Sequence, residues 1–314
     1  MVQTTSLRES YGHTLVELGQ ENSDIVVLEA DLCWSTMTHF FRNQFPERFF
    51  DCGIAEQNMV SIAAGLAASG KIPFASTFAV FIPGRCFDQV RMSVAQPRLN
   101  VKLVATHGGI SVGEDGISHH AIEDLALINS LPGFNVIVPA DAIETAQAVK
   151  TAASTYGPFY IRLCRPNLPL VYDENYKFEL GKATTLRQGK KATIIAIGSM
   201  VSPALDAADK LRQQDIDCCV LSMPTLKPID KTAIINAANN TGAIVTVEEH
   251  LEHGGLGSSV AQVVVKQHPV PMEFVALKDT YAESGKGAEL LEKYGLSSTA
   301  IEQAVKSIIK RKQE

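Results

Sequence analysis

The chain has 314 residues, of which 46% are hydrophobic and 20% are charged, with a formal net charge of −6 at pH 7 and a pI near 5.8. This composition is typical of a globular protein long enough for two domains of about 150 residues each. The acidic balance argues against a nucleic-acid or membrane-surface binder, and no segment offers the run of about 18 apolar residues that a membrane helix requires. Without a signal-peptide pattern, and with six cysteines that form no Cys-x-x-Cys pair, we expect a cytoplasmic protein without a disulfide framework.

Apolar strands alternate with helical segments in the first half of the chain. The predicted strands are a short run ending at Phe50 and the segments Ile25–Ala30, Val101–Thr106, Val136–Val138 and Tyr160–Arg162. The predicted helices are Asn58–Ala68, Ile122–Asn129 and Ile143–Ser154. This alternation indicates a parallel sheet covered by helices on both faces, so we predict one three-layer α/β domain over residues 1–168.

A second α/β domain is predicted after a change of composition. Prolines, tyrosines and scattered charges without a sustained period predict a linker at residues 169–188. Four apolar strands then follow with helices between them, which predicts a smaller α/β domain at residues 189–314. These strands are Ala192–Ile197, Cys218–Leu221, Ala243–Val247 and Phe274–Leu277.

Glu56 stands between the short strand ending at Phe50 and the small-residue helix Asn58–Ala68. We expect this carboxylate to be largely buried near a helix N-terminus, where burial disfavours its ionised form and the helix dipole favours it. A capping role and a role opposite a base or cation both remain open on these residues alone. The helix carries small and apolar residues all round, which is typical of a buried or interface helix and predicts self-association.

Two further segments carry chemistry-bearing residues. Phe78 and Phe81 stand three apart, so a helical or turn-like segment would place both rings on one face, although core packing explains the pair equally well. The loop Gly113–His120 concentrates acids and imidazoles between glycines, as in an exposed functional loop. Solvated surface is an alternative, and so is a metal site, although no known metal-binding spacing is present. The residues such a metal site would use are Asp115, His119, His120 and Glu123.

Three motifs in order resemble the transketolase family of thiamine diphosphate enzymes. They are Gly-Ile-Ala-Glu-Gln at 53–57, Ser-Thr-Phe-Ala-Val-Phe at 76–81, and Thr-His-Gly-Gly-Ile-Ser-Val-Gly-Glu-Asp-Gly-Ile-Ser-His at 106–119. The resemblance extends from Arg8 to about Ile309 and corresponds to the C-terminal half of a transketolase. It implies a pyrimidine-binding thiamine diphosphate domain followed by a transketolase C-terminal domain.

The resemblance also implies roles for the motif residues. The family's glutamate, matched by Glu56, hydrogen-bonds the pyrimidine N1′ of the cofactor and drives the tautomer that removes the thiazolium proton. Phe81 matches the ring that stacks on the pyrimidine and Phe78 the wall of its pocket, while Gly84 stands where many members have a further aromatic residue. Asp115 and His119 match residues that meet the sugar hydroxyls, and we expect His120 to act as outer support.

Four residues match the family's phosphate-binding pattern, which implies sugar phosphates as substrates. They are Arg8, Ser35, His107 and Arg165. A guanidinium binds phosphate bidentately, although without the resemblance a surface ion pair explains either arginine. The glycines of Gly254–Ser259 lack the third glycine of a dinucleotide-binding loop, so close packing of a strand and a helix is the favoured interpretation of that segment.

The chain contains no Gly-Asp-Gly, the family's motif for the metal that holds the cofactor diphosphate. We therefore predict the C-terminal subunit of a split transketolase, active only with a separate N-terminal diphosphate-binding subunit that binds Mg²⁺ (or Ca²⁺), in an α₂β₂ assembly. Alternatives are a beta subunit of a 2-oxoacid dehydrogenase decarboxylase, a deoxyxylulose-phosphate-synthase-like enzyme, or a non-catalytic scaffold of the same fold.

Overall fold

The computed structural model describes residues 4–313, and within them the strands form two larger sheets and one two-stranded sheet. The strands are β1 (Thr4–Thr5), β2 (Ile25–Glu29), β3 (Phe49–Asp51), β4 (Ile72–Phe78), β5 (Lys102–Thr106), β6 (Asn135–Ile137), β7 (Phe159–Arg162), β8 (Leu168–Pro169), β9 (Thr184–Arg187), β10 (Thr193–Ala196), β11 (Cys219–Ser222), β12 (Thr225–Lys227), β13 (Ile244–Leu251) and β14 (Met272–Leu277).

Helices connect most of these strands. The α-helices are α1 (Leu7–Glu21), α2 (Cys33–Thr36), α3 (His39–Gln44), α4 (Glu56–Ala68), α5 (Phe81–Gln89), α6 (Asp124–Asn129), α7 (Ala142–Ser154), α8 (Val201–Arg212), α9 (Lys231–Thr241), α10 (Leu256–Gln267), α11 (Gly287–Lys293) and α12 (Ser298–Gln313). Shorter 3₁₀ turns lie at Pro46–Arg48 and Gly198–Met200, and Val90–Ala95 is π-helical. Among the described residues, no helix is both long enough and apolar enough to span a bilayer.

The first large sheet has the strand order β12-β6-β7-β5-β4-β2-β3 and is parallel except where β12 joins β6. Successive side chains of a strand point to opposite faces, so β2 contributes to two cores. Val27 packs in a core with Leu15 of α1 and Val149 of α7. Leu28 packs in another with Met59 of α4. Helices therefore cover both faces, as the first domain was predicted to show.

The second large sheet has the order β14-β13-β10-β11-β9 and is parallel except where β9 joins β11. On one face, Val201 of α8 and Val305 of α12 belong to a common core. On the other face, Ile234 of α9 and Val260 of α10 belong to the same core as Met59 of α4. The two sheets thus share one continuous apolar layer, and the predicted class of two three-layer α/β domains is confirmed.

Two details of the chain path were not predicted. Strand β12 lies late in the chain but pairs with β6 at the edge of the first sheet, with Thr225 opposite Ile137 and Lys227 opposite Val136. Strand β9 lies inside the range 169–188 predicted as a linker, and it joins the second sheet. The domain boundaries at 168 and 189 stay a prediction.

Strand β4 was also not predicted, and it decides between the two segment types expected for Phe78 and Phe81. Phe78 ends β4 and Phe81 begins α5, so the two residues flank the turn at Ala79 and Val80 and do not lie on one helix. Their ring centroids nevertheless lie 5.7 Å apart at an interplanar angle of 22°. The rings meet because the chain turns from strand to helix between them.

Candidate active site

The predicted site residues gather at the carboxyl edge of the first sheet. Strands β7, β5, β4 and β2 are adjacent and parallel, so their carboxyl ends lie at one edge. Phe78 ends β4, His107 directly follows β5, and Arg165 follows β7 by three residues. Ligand sites of open α/β sheets lie at this edge.

Glu56 is the first residue of α4 and is 3% exposed, so the burial predicted for it is confirmed. The preceding Ala55 offers no side-chain cap to the helix. Nη1 of Arg85 donates a hydrogen bond to Oε1 of Glu56 at 2.5 Å, and the Arg85 guanidinium carbon lies 3.7 Å from the centroid of the Phe81 ring. The cation opposite Glu56 is therefore supplied by α5, and Arg85 was not singled out from the sequence.

Four predicted residues form one aromatic cluster. The rings of Phe78 and His107 stack with centroids 3.9 Å apart. The His119 ring meets Phe78 at 6.0 Å and Phe81 at 5.5 Å in edge-on geometry. Residues from β4, α5 and two loops therefore line one surface beside Glu56.

His107 is held in an unusual conformation. It is buried and has φ +61°, which non-glycine residues adopt rarely and mostly at functional or turn positions. The Thr106 hydroxyl lies 2.8 Å from Nδ1. Burial, and after it the nearby charges of Arg8 and Arg165, lower the pKa of the imidazole to about 3. At neutral pH the ring is uncharged and has one N–H donor and one acceptor.

Arg8 and Arg165 form a basic group next to this cluster. Arg8 donates from Nη1 to the Ser35 carbonyl at 2.7 Å and from Nη2 to the Arg165 carbonyl at 3.1 Å. Arg165 donates to the Val112 carbonyl at 2.5 Å, and its Nη1 lies 3.6 Å from Oδ2 of Asp115. Both guanidiniums line a cavity of about 330 Å³. Within residues 4–313 no carboxylate pairs with Arg8, so its charge is available to an anion.

Both halves of the chain match domains of known proteins. Residues 3–171 match the pyrimidine-binding domain of transketolase, and residues 181–301 match the transketolase C-terminal domain. The chain belongs to the transketolase family.

Several relatives are similar over nearly the whole chain. The putative transketolase C-terminal section of Methanocaldococcus jannaschii is 43% identical over 308 residues, which are 97% of this chain and 96% of that protein. A 6-deoxy-6-sulfo-D-fructose transketolase subunit of a Clostridium species is 41% identical, with 98% and 95% covered. Human transketolase is 40% identical, but the match covers 96% of this chain and 49% of the human protein. The chain therefore spans about half of a full-length transketolase.

One solved structure is similar throughout. A split gene transketolase, described as an inactive beta4 tetramer, superposes with a TM-score of 0.92 at 50% identity and covers 98% of this chain and 99% of its own. Such agreement over both domains supports the arrangement of the two sheets described above.

Glu29, at the end of β2, stabilises the loop that follows this strand, and it was not singled out from the sequence. Its Oε2 accepts hydrogen bonds from the backbone N–H groups of Ala30 and Leu32, each at 3.0 Å, and its Oε1 accepts from the hydroxyls of Thr36 and Thr38. Burial raises its pKa to about 7. These contacts hold the loop that carries Ser35. An acid at the end of a fully apolar strand was the available signal.

Arg162 ties the site to the second domain. It is buried, pairs through Nε with Oδ2 of Asp124 at 3.0 Å, and donates from Nη2 to the carbonyls of Ala121 and Glu249 at 2.9 and 3.0 Å. The Glu249 carboxylate in turn accepts from the Ser111 N–H at 2.7 Å. The loop between β5 and α6 is thus fixed by side chains from both domains.

His120 and the glycine segment have structural positions. His120 is buried with Nε2 3.2 Å from the Gly113 carbonyl, which fits its expected outer role. In the glycine segment, Leu256 and Gly257 donate their N–H groups to the buried Glu248 at 2.7 Å each. A Cβ on Gly257 would lie 2.3 Å from the Phe274 ring. The packing interpretation of Gly254–Ser259 is confirmed.

The transketolase family implies thiamine diphosphate, and the donor set fits its pyrimidine end. A buried carboxylate, Glu56, and an aromatic face, Phe81, already bracket a planar, hydrogen-bonding group, the Arg85 guanidinium. For the diphosphate end, no cluster of three metal-ligating side chains occurs among the described residues.

Proposed function

We propose that this chain is the C-terminal subunit of a two-subunit transketolase, which transfers a two-carbon ketol unit from a ketose phosphate to an aldose phosphate. The observation that carries the proposal is the buried Glu56 beside Phe81, with His119 and the Arg8–Arg165 group at the same sheet edge. When bound, thiamine diphosphate supplies the carbon nucleophile for this transfer.

The proposal gives each side chain a task. Glu56 would hydrogen-bond N1′ of the pyrimidine, since its carboxylate is buried beside Phe81 and already accepts from a planar N–H donor, Arg85. Phe81 stacks on the pyrimidine and Phe78 backs it. Asp115 and His119 hydrogen-bond the sugar hydroxyls.

The anionic end of the substrate is assigned to the basic group. Arg8 and Arg165 bind the substrate phosphate, His107 donates its neutral N–H, and Ser35 completes the site. A sulfonate has the same tetrahedral oxygen geometry, so the similarity to the sulfosugar enzyme subunit makes a sulfonated ketose a second candidate donor.

The proposed assembly places the metal and the cofactor diphosphate on a second subunit. The described residues provide no metal cluster, so Mg²⁺ (or Ca²⁺) and the cofactor diphosphate are assigned to a separate N-terminal subunit. Exposed apolar side chains lie near Glu56 in sequence, with Ile54 76% exposed, and on the outer face of α4, where Ile62 is 37% exposed. This surface suits self-association and an α₂β₂ complex with the partner.

The test is a coupled ketol-transfer assay with xylulose 5-phosphate and ribose 5-phosphate, thiamine diphosphate and Mg²⁺. The chain is assayed alone, with its diphosphate-binding partner, and with the partner but carrying Glu56→Ala. Activity in the mixture alone, abolished by Glu56→Ala, is the expected result. Further arms use 6-deoxy-6-sulfofructose as donor and pyruvate as a 2-oxoacid.

Each other outcome has a defined meaning. Turnover of pyruvate without ketol transfer identifies a 2-oxoacid decarboxylase subunit. A mixture that binds no thiamine diphosphate identifies a non-catalytic scaffold and refutes the proposal.

A further inference from the structure

Arg85 contacts the two groups on which the proposed pyrimidine site depends. Its Nη1 donates to Oε1 of Glu56 at 2.5 Å, and its guanidinium lies over the Phe81 ring at 3.7 Å from the centroid. Within residues 4–313, Glu56 is the hydrogen-bond partner of Arg85, and the contact bridges 29 positions of sequence. A single side chain thus joins the carboxylate to the stacking face.

A guanidinium and an aminopyrimidine present similar chemistry to such a site. Both are planar and delocalised, both stack on an aromatic face, and both carry N–H groups that hydrogen-bond a carboxylate. A group that stacks on this face of Phe81 and bonds Oε1 of Glu56 takes the same space as the guanidinium. The two therefore exclude one another.

We propose that Arg85 is an internal competitor of the cofactor's pyrimidine ring, which holds Glu56 and the Phe81 face until the ring displaces it towards solvent. The inference rests on the proposed function and deepens it, because it names a residue that sets cofactor affinity.

The local structure allows Arg85 to leave. Its side chain is 45% exposed, whereas that of Glu56 is 4% exposed, so solvent lies on the arginine side of the pair. The following residue, Cys86, breaks the helical geometry of α5 with φ −129° and ψ 29°. The preceding Gly84 has no atom within 4 Å of where a Cβ would stand. The backbone of this segment stays anchored by the buried Ile82 and Cys86, while the Arg85 side chain has open space towards solvent into which it can rotate.

Competition also has an electrostatic reason. A buried carboxylate that loses its partner retains the cost of burial, so Glu56 is stabilised when either the guanidinium or the pyrimidine bonds it. Cofactor binding breaks the hydrogen bond between Arg85 and Glu56, and the free energy of that bond opposes binding. Removing Arg85 removes that opposing contribution and should tighten cofactor binding.

The experiment measures the Kd for thiamine diphosphate by isothermal titration calorimetry on the assembled complex with Mg²⁺. We expect Arg85→Ala to bind about tenfold more tightly than wild type, since a hydrogen bond to a charged group is lost from the free state. Arg85→Lys keeps the positive charge but lacks the planar guanidinium, so its Kd should lie between those of wild type and Arg85→Ala. Arg91→Ala is the matched control, because Arg91 is exposed on the next helical segment and contacts Met92 rather than a carboxylate.

A second readout separates competition from a general change in the fold. The pyrimidine fragment 4-amino-5-hydroxymethyl-2-methylpyrimidine should also bind Arg85→Ala more tightly, whereas inorganic pyrophosphate, which lacks the ring, should bind unchanged. Thermal unfolding of each variant checks that the fold is intact, and Arg85→Lys decides the question if Arg85→Ala does not fold.

The outcomes distinguish the inference from the proposed function. If wild type binds the cofactor and Arg85→Ala binds it with equal or lower affinity, the inference is overturned and the proposed function stands. If neither wild type nor any variant binds the cofactor, both the inference and the proposed function are overturned.

Discussion

The buried imidazole of His107 should make stability depend on pH. Its folded pKa is lowered to about 3 by burial and by Arg8 and Arg165, against an ordinary value of 6.5. Below pH 6.5 the unfolded chain binds more protons here than the native chain, so stability falls as pH falls through the range from 6.5 to 3. These two values give a loss of about 2 kcal/mol between pH 7 and pH 5 from this residue.

The assay is urea unfolding at pH 7 and pH 5 of wild type and His107→Asn, at one fixed protein concentration because self-association shifts stability. Asparagine is chosen because it tolerates the φ of +61° at this position and does not titrate. The buried His250, whose pKa burial lowers to about 4, is common to both proteins and cancels. The variant should lose about 2 kcal/mol less than wild type on acidification. Equal losses in the two proteins would refute the reasoning.

Two further substitutions test buried contacts within the domains, each with an exposed control. Arg162→Met should lower the free energy of unfolding by about 3–5 kcal/mol, because it leaves the buried Asp124 carboxylate without its cationic partner. Arg187→Met, at the exposed pair with Asp209, should change the free energy of unfolding by less than about 1 kcal/mol. Similar losses for the two variants in urea unfolding would contradict the prediction. Gly257→Ala should cost about 1–3 kcal/mol in the same measurement, since its Cβ would lie 2.3 Å from the Phe274 ring. The control Gly65→Ala, where nothing lies within 4 Å, should leave stability unchanged or slightly raised, and a loss equal to that of Gly257→Ala would refute the steric argument.

The buried parallel strands could be predicted because their sequences are continuous apolar runs. Residues 102–106 and 159–162 were placed to within one residue. Strand β4 was not, since Ile-Pro-Phe-Ala-Ser-Thr-Phe mixes a proline and two hydroxyl residues with apolar ones, and its burial depends on its central place in the sheet. The short antiparallel β12 carries no local signal, because its three residues are defined by pairing with a strand almost 90 positions earlier.

Only the site residues that belong to the sequence motifs could be predicted. Phe78, Phe81, His107 and His119 were chosen from two separate motifs, at 76–81 and 106–119, and the fold brings their rings together. The contact of Arg85 with Glu56 depends on how α5 packs beside α4, which neither motif encodes. The roles assigned to these residues remain predictions.

Strand β12 has a consequence for how this protein can be divided. Its three residues come from the second half of the chain and form the edge of the first sheet. Lys227 holds them in place by donating hydrogen bonds to the carbonyls of Asn129 and Leu131 at 3.0 and 2.6 Å. A cut anywhere between residues 169 and 224 would strip the first domain of its edge strand and leave unpaired backbone groups on β6. Gene fission and fusion can therefore move these two domains together as one unit. A split between the two domains would require a new edge strand for the first sheet.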